Sequence, residues 1–334
     1  MVRVLVAGII ALVVSIAAGP RFIDFLRRHE YGQQIREDGP SHHVAKRGTP
    51  TMGGLLIVFA AVVAFLALTF FTLPALTVMF VVGSCAAIGF IDDWIKLTHR
   101  RSLGLSGRWK MLLLAGITVV VGFAAHHQHL SHSVFIPIVD WWLPLSYAWY
   151  GFLFLVIAGA ANGVNLTDGL DGLAAGTGII ALFTFAAMGI TNFIRSGTPG
   201  HRIETRLDMA IAAAALVGAA IGFLWYNAFP AEVFMGDTGS MAIGGALAGL
   251  AIFTKTELLL LLIGGIFVVE ALSVMIQVFT FKYLGRRVFL MTPIHHHFEM
   301  KAWSETKIMV RFWILAGILC AAGFALYYRY YFRT

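Results

Sequence analysis

Charge is scarce in this chain. Asp, Glu, Lys and Arg make up 12% of its 334 residues, about half the ~25% usual in soluble domains. So little charge excludes a fold kept in water by an ionic surface. Cysteine is nearly absent. Cys85 and Cys320 both fall inside apolar runs, which argues against a disulfide framework and makes both packing residues. No P-loop, dinucleotide fingerprint or serine nucleophile elbow occurs, so the common soluble phosphate chemistries find no support. What abounds is apolar: 59% of residues are hydrophobic, 27 of them Phe, and mean hydropathy is +0.83. The fold class that follows is an all-α polytopic membrane protein, a single integral-membrane domain over 1–334.

A lipid-crossing helix needs ~20 mostly apolar residues. Such runs predict about ten transmembrane helices, at 2–25, 52–71, 75–91, 111–125, 148–164, 173–194, 209–229, 241–253, 258–281 and 308–328. The first resembles a secretory signal, but its length and the trailing Arg27 and Arg28 make it an uncleaved span. The eighth, MAIGGALAGLAIF, has the Gly/Ala composition of a helix packed closely against neighbours.

Lys and Arg set the orientation. With the first span entering from outside, sixteen basic residues face the cytoplasm and seven face out, which favours both termini extracytoplasmic. The same asymmetry accounts for the net charge of +7 without nucleic acid. The outer segment 126–146 alternates polar with apolar and predicts a small periplasmic hairpin.

On this topology the polar clusters all reach the cytoplasmic side. GFIDDWIK carries Asp92 and Asp93. NGVNLTDGLDGLAAG carries Asn162, Asn165, Asp168 and Asp171. WYNAFPAEVFMGDTGS carries Asn227, Phe234 and Asp237. TPIHHHFE carries His295, His296 and His297, and KRGTPTMGG carries Lys46 and Thr51. Five aspartates at three helix mouths repel one another unless a cation joins them. Ordinary readings stand beside this one. Asp92 and Asp93 suit a solvated helix end, and Asp171 and Asp237 suit N-caps. Lys46 satisfies the positive-inside rule alone. The histidines lack metalloprotease spacing; being adjacent, they point apart, which suits phosphate or sugar contacts better than a three-His metal site. Glu270, mid-span in FVVEALSV, is costly in lipid and should face the interior; the sequence does not name its partner. Carboxylates and amides are hard oxygen ligands, the kind Mg²⁺ takes together with substrate phosphates. The pattern therefore points to a metal–phosphate site at the membrane surface.

In order, GTPTMGG, GFIDDWIK, NGVNLTDGLDGLAAG, VFMGDTGSMAIGG and PIHHHFE resemble the phospho-N-acetylmuramoyl-pentapeptide transferase family, a branch of the polyprenyl-phosphate N-acetylhexosamine-1-phosphate transferases. The resemblance runs from about Lys46 to Glu299. Gly163 stands where Ala is usual in the family, and Thr238 where Val is common. The resemblance implies a Mg²⁺-dependent transfer from UDP-MurNAc-pentapeptide to undecaprenyl phosphate in the bacterial inner membrane. It gives Asp237 as metal ligand, with Asp92 and Asp93 beside the lipid phosphate and Asp92 as base. Asn165 and Asp168 would hold pyrophosphate and ribose; Asp171, Phe234, Asn227 and Lys46 would form the uridine pocket. His296 joins the catalytic set, while His295, His297, Thr51 and Asn162 join the substrate-binding set. A homodimer is left open. Two rivals remain: a sister enzyme using another UDP-sugar, against which the histidine triplet argues, and an ion-coupled transporter, against which the absence of a repeat argues.

Overall fold

The computed structural model describes residues 1–29, 31, 48–99, 103–198 and 201–331. Among these, α1 (Val2–Arg28), α2 (Gly54–Leu68), α3 (Leu73–Thr98) and α4 (Gly107–His127) come first. A two-stranded antiparallel hairpin follows, β1 (Ser133–Ile136) with β2 (Trp141–Pro144), Val134 opposite Leu143. It lies within the segment predicted to form one. Next come α5 (Ala148–Thr167), α6 (Leu173–Arg195), α7 (Glu204–Asn227) and α8 (Gly236–Phe253). The chain ends with α9 (Leu260–Ile263), α10 (Gly265–Leu284), α11 (Ile294–Glu299) and α12 (Glu305–Tyr330).

Among the described residues, eight helices are long and apolar enough to cross a membrane: α1, α3, α4, α5, α6, α7, α10 and α12. The second predicted span, α2, is apolar but only 15 residues long. The eighth, α8, is diluted by its glycines and by Asp237. Large apolar side chains stay exposed on the outer helices, among them Leu5, Val119, Phe123, Leu155 and Met275. Such a surface suits lipid, and the protein is a multi-pass membrane protein.

Three boundaries differ from the sequence reading, and two of them matter for the site. The third span runs on to Thr98, so Asp92 and Asp93 lie inside α3, one and a half turns from its end. The eighth begins at Gly236, which puts Asp237 in the first turn of α8. The ninth is broken between α9 and α10 at Gly264–Gly265, where paired glycines interrupt an otherwise continuous apolar run.

At the centre stands α8, buried on every side from Thr238 to Ile252. Small residues permit this. Gly54 of α2 meets the backbone of Gly239, Gly244 meets that of Ala160 and Ala161 in α5, and Gly245 lies against Cys85 of α3. The close packing read from its composition is present. Both cysteines are free and buried. At one end of the bundle, Asp208 of α7 accepts hydrogen bonds from Thr69, Phe70 N–H and Thr72, tying down the α2–α3 turn.

Candidate active site

The site grows from the α3–α8 contact. Asp93 is 3% exposed, and both its oxygens serve α8. Oδ1 accepts from the Asp237 N–H at 3.1 Å. Oδ2 accepts from the Thr238 N–H at 3.0 Å and the Thr238 hydroxyl at 2.8 Å. The first amides of a helix have no partner within it and carry positive partial charge. Asp93 caps α8 from a neighbouring helix, and the Thr238 hydroxyl adds a third bond. Gly236 turns the chain into this position at φ +72°, wedged between Asp93 and Thr51. Asp237 is therefore no N-cap. Its carboxylate is left over for other work.

Asp92, 1% exposed, is likewise no solvated helix end. Its Oδ1 accepts from Leu105 N–H at 2.7 Å; this α3–α4 connection comes close because Gly104 has no side chain to collide with the carboxylate. Two lysines complete the centre. Lys96 Nζ lies 2.6 Å from Asp92 Oδ2 and 3.1 Å from Asp237 Oδ1. Lys110 Nζ lies 3.0 Å from Asp92 Oδ1 and 2.7 Å from Asp237 Oδ2. Ligand atoms of Asp92, Asp93 and Asp237 all fall within 4.8 Å of one another. Hard carboxylate oxygens at that spacing could bind a divalent cation. Asp92 Oδ2 fits this use, being buried with no hydrogen bond and only the Lys96 ion pair.

The α5–α6 turn stands beside the centre. Asn165 donates to Ser240 Oγ of α8 at 3.0 Å. Asn162 donates to Ala158 O of its own helix and contacts none of the aspartates by hydrogen bond. Asp168 ends α5, partly buried. Burial, and then the negative charges of Asp237, Asp93 and Asp171, push its carboxyl up to about 8, with Lys96 opposing. The α6 N-cap is Gly172 at φ +74°, not Asp171. Asp171 instead accepts from Ala231 N–H at 3.0 Å. Asn227 takes Gly172 N–H and gives to Val233 O, so its amide is used in joining this turn to the loop before α8. Phe234 lies in that loop, its N–H donating to Pro50 O beside Thr51. Lys46 lies outside the described residues.

The three histidines occupy the six-residue α11 and diverge. His295 meets the buried Glu270, His296 pairs with Glu299, and His297 Nδ1 accepts from Leu290 N–H at 3.1 Å. Burial and the Lys301 charge hold the His297 ring below its usual range. The His295 ring packs against Gly169, so the triplet borders the Asp168 turn.

Sequence reasoning missed Lys96, Lys110, Ser240 and Glu299 as site residues. Lys96 was within reach, because DDWIK on a helix sets Asp92 and Lys96 four apart on one face. Lys110 reaches Asp237 from another helix 127 residues away in sequence and gives no local signal.

The model of Glycosyl transferase family 4 matches residues 75–255, which gives this helical membrane scaffold its class, a transferase. Signature 1 of phospho-N-acetylmuramoyl-pentapeptide-transferase matches residues 46–58. Proteins of that name include one from Frankia alni, 46% identical over 97% of each chain. Another, from Rubrobacter xylanophilus, is 46% identical over 100% of each, and one from Streptomyces avermitilis is 44% identical over 98% of each. The chain belongs to the phospho-N-acetylmuramoyl-pentapeptide-transferase family.

Proposed function

We propose that this site moves phospho-MurNAc-pentapeptide from its UDP carrier to undecaprenyl phosphate, giving lipid I and UMP, the first membrane step of peptidoglycan synthesis. One observation carries the reading beyond family membership: Asp92 and Asp237 converge with two lysines inside a bilayer-type scaffold. A lipid phosphate oxygen attacks the sugar-linked phosphorus, and the bond from that phosphorus to the UMP oxygen breaks. The attacking phosphate is mostly ionised near neutral pH, its second pKa being about 6. Asp92 therefore serves more to position than to deprotonate, and rate comes from placement and charge neutralisation. Asp237, with Asp92 beside it, would hold Mg²⁺, which when bound would supply positive charge against the pyrophosphate.

The remaining roles follow the same reading. Asn165 and Asp168 face pyrophosphate and ribose. Phe234 stacks on uracil, with Asp171 and Asn227 fixing its loop and Lys46, Thr51 and Asn162 at the margins. The histidines contact the sugar-phosphate side. The basic asymmetry supports a cytoplasmic site in the inner membrane, with ten spans and both termini outside. A reporter fused to the C-terminus should be active only outside the cytoplasm.

Purified protein with undecaprenyl phosphate and Mg²⁺ should release UMP from UDP-MurNAc-pentapeptide and little from UDP-GlcNAc. Release of UDP would overturn phosphoryl transfer. Comparable UMP release from UDP-GlcNAc would move the protein to a sister activity.

A further inference from the structure

Asp92, Asp237, Lys96 and Lys110 form a closed quartet. Each of the four carboxylate oxygens faces one ammonium group, at 2.6, 3.0, 3.1 and 2.7 Å. Two negative and two positive charges balance, while the third carboxylate, Asp93, accepts from the first amides of α8. Among the described residues, the ion pair that Asp93 makes is with Lys96 Nζ, at 3.8 Å. The oxygens suited to a divalent cation are therefore the ones the two lysines already hold. A cation entering this balanced quartet meets two like charges at contact range. The lysines can leave. Both side chains are partly exposed, 30% for Lys96 and 15% for Lys110, against 1% for Asp92. Each carries its charge on a flexible four-carbon stem.

We propose that Lys96 and Lys110 are built-in counter-cations that compete with the divalent metal for Asp92 and Asp237 and exchange onto the donor's phosphates when metal and donor arrive together. It rests on the pyrophosphate-donor reading for the destination of the lysines, though not for the competition itself. The exchange keeps every charge paired. The metal takes the carboxylates, and the ammonium groups take phosphate oxygens. Metal and donor then bind cooperatively, each weaker without the other. Without donor, metal affinity is held low.

The test is direct binding of Mn²⁺ to the purified full-length protein without donor, read by the paramagnetic resonance of free Mn²⁺. Removing one competing charge by Lys110→Met should tighten Mn²⁺ binding ~10-fold or more, while Lys110→Arg should bind as the native protein does. Turnover by Lys110→Met should nevertheless fall, because the cation destined for phosphate is gone. A lysine that merely held the fold would lose both. Lys96→Met repeats the measurement if Lys110→Met does not fold. Mn²⁺ binding in the Met variants equal to or weaker than native overturns the competition. Asp237→Asn should abolish the binding; if it does not, the metal lies elsewhere and the inference falls with that position. UMP release by the native protein is scored separately, so failure of the donor reading shows as absent turnover with the Mn²⁺ competition intact.

Discussion

His295 Nδ1 lies 3.1 Å from Glu270 Oε1, and both side chains are wholly buried. The backbone N–H of His295 approaches Oε2 of the same carboxylate at 3.4 Å. The backbone N–H donates to this carboxylate, and the ring nitrogen meets its other oxygen. The mid-span acid thus faces inward, onto the first residue of the histidine triplet, whose ring rests against Gly169 next to Asp168.

Glu270→Gln keeps one acceptor and gains an amide N–H₂, and pairing both with His295 requires Nδ1 to accept, which leaves the proton on Nε2, buried with no hydrogen-bond partner. An unmet buried group costs ~1–3 kcal/mol, and the melting temperature should drop accordingly. Gly169→Ala would drive a methyl group into His295 Nε2, so the ring must shift from Glu270, and turnover and melting temperature should fall together. Equal melting of native protein and Glu270→Gln would show that the pairing contributes nothing.

Asp237→Asn keeps the side chain's size but removes the charge that faces both lysines, and turnover should fall by ~10²-fold or more. Asp140→Asn is the contrasting change. Asp140 is exposed in the hairpin turn at φ +50°, where Asn is equally at ease, and activity should stay within twofold. UMP release measured side by side decides it; similar losses in both would remove the α3–α8 cluster from consideration.

Asp168 links stability to pH. Its native carboxyl, pushed up from 3.8 to about 8, keeps a proton that the unfolded chain releases near pH 4. Across that window the native state binds more protons, so stability falls as pH rises from 4 toward 8, then levels off. Asp168→Asn stays neutral throughout. Its melting temperature relative to native should therefore climb over the same range. A difference independent of pH would mean that Asp168 is already ionised in the fold.

Asp208→Ala strips the α2–α3 turn of the acceptor for Thr69, Phe70 and Thr72. One buried donor and its partly buried neighbours lose their partner, and unfolding should become easier by ~2–4 kcal/mol. Turnover per folded molecule should be unchanged, since Asp208 contacts none of the four quartet residues. Denaturation and UMP release measured on one preparation separate the two effects.

Most of the scaffold was legible because lipid imposes long apolar runs, and the hairpin because 126–146 breaks that pattern. The polar motifs were legible as a set since charge is rare enough to be conspicuous. What stayed hidden was where helices stop. Trp94, Ile95 and Leu97 carry α3 past its aspartates, and a cap is recognised only when its amide partners are known. Asp93 serves a helix 144 residues later in sequence, and Glu270 a histidine 25 residues on. Spacing within one element reveals Lys96; nothing local reveals Lys110. The resemblance puts Asp171 and Asn227 in the uridine pocket, and the structure shows both hydrogen-bonded to backbone groups at the loop junction.

The capping of α8 by Asp93 also bears on inhibition. Many phosphate-handling proteins offer the bare amides at a helix start as an anion cradle. Here that end is already filled by the protein's own carboxylate. A compound built to sit on a ring of backbone N–H groups would find those of Asp237 and Thr238 taken. The vulnerable feature is the alternation of anion and ammonium between α3, α4 and α8. A ligand carrying an amine beside an acidic group, spaced to pair with Asp237 and Lys110 together, would match it.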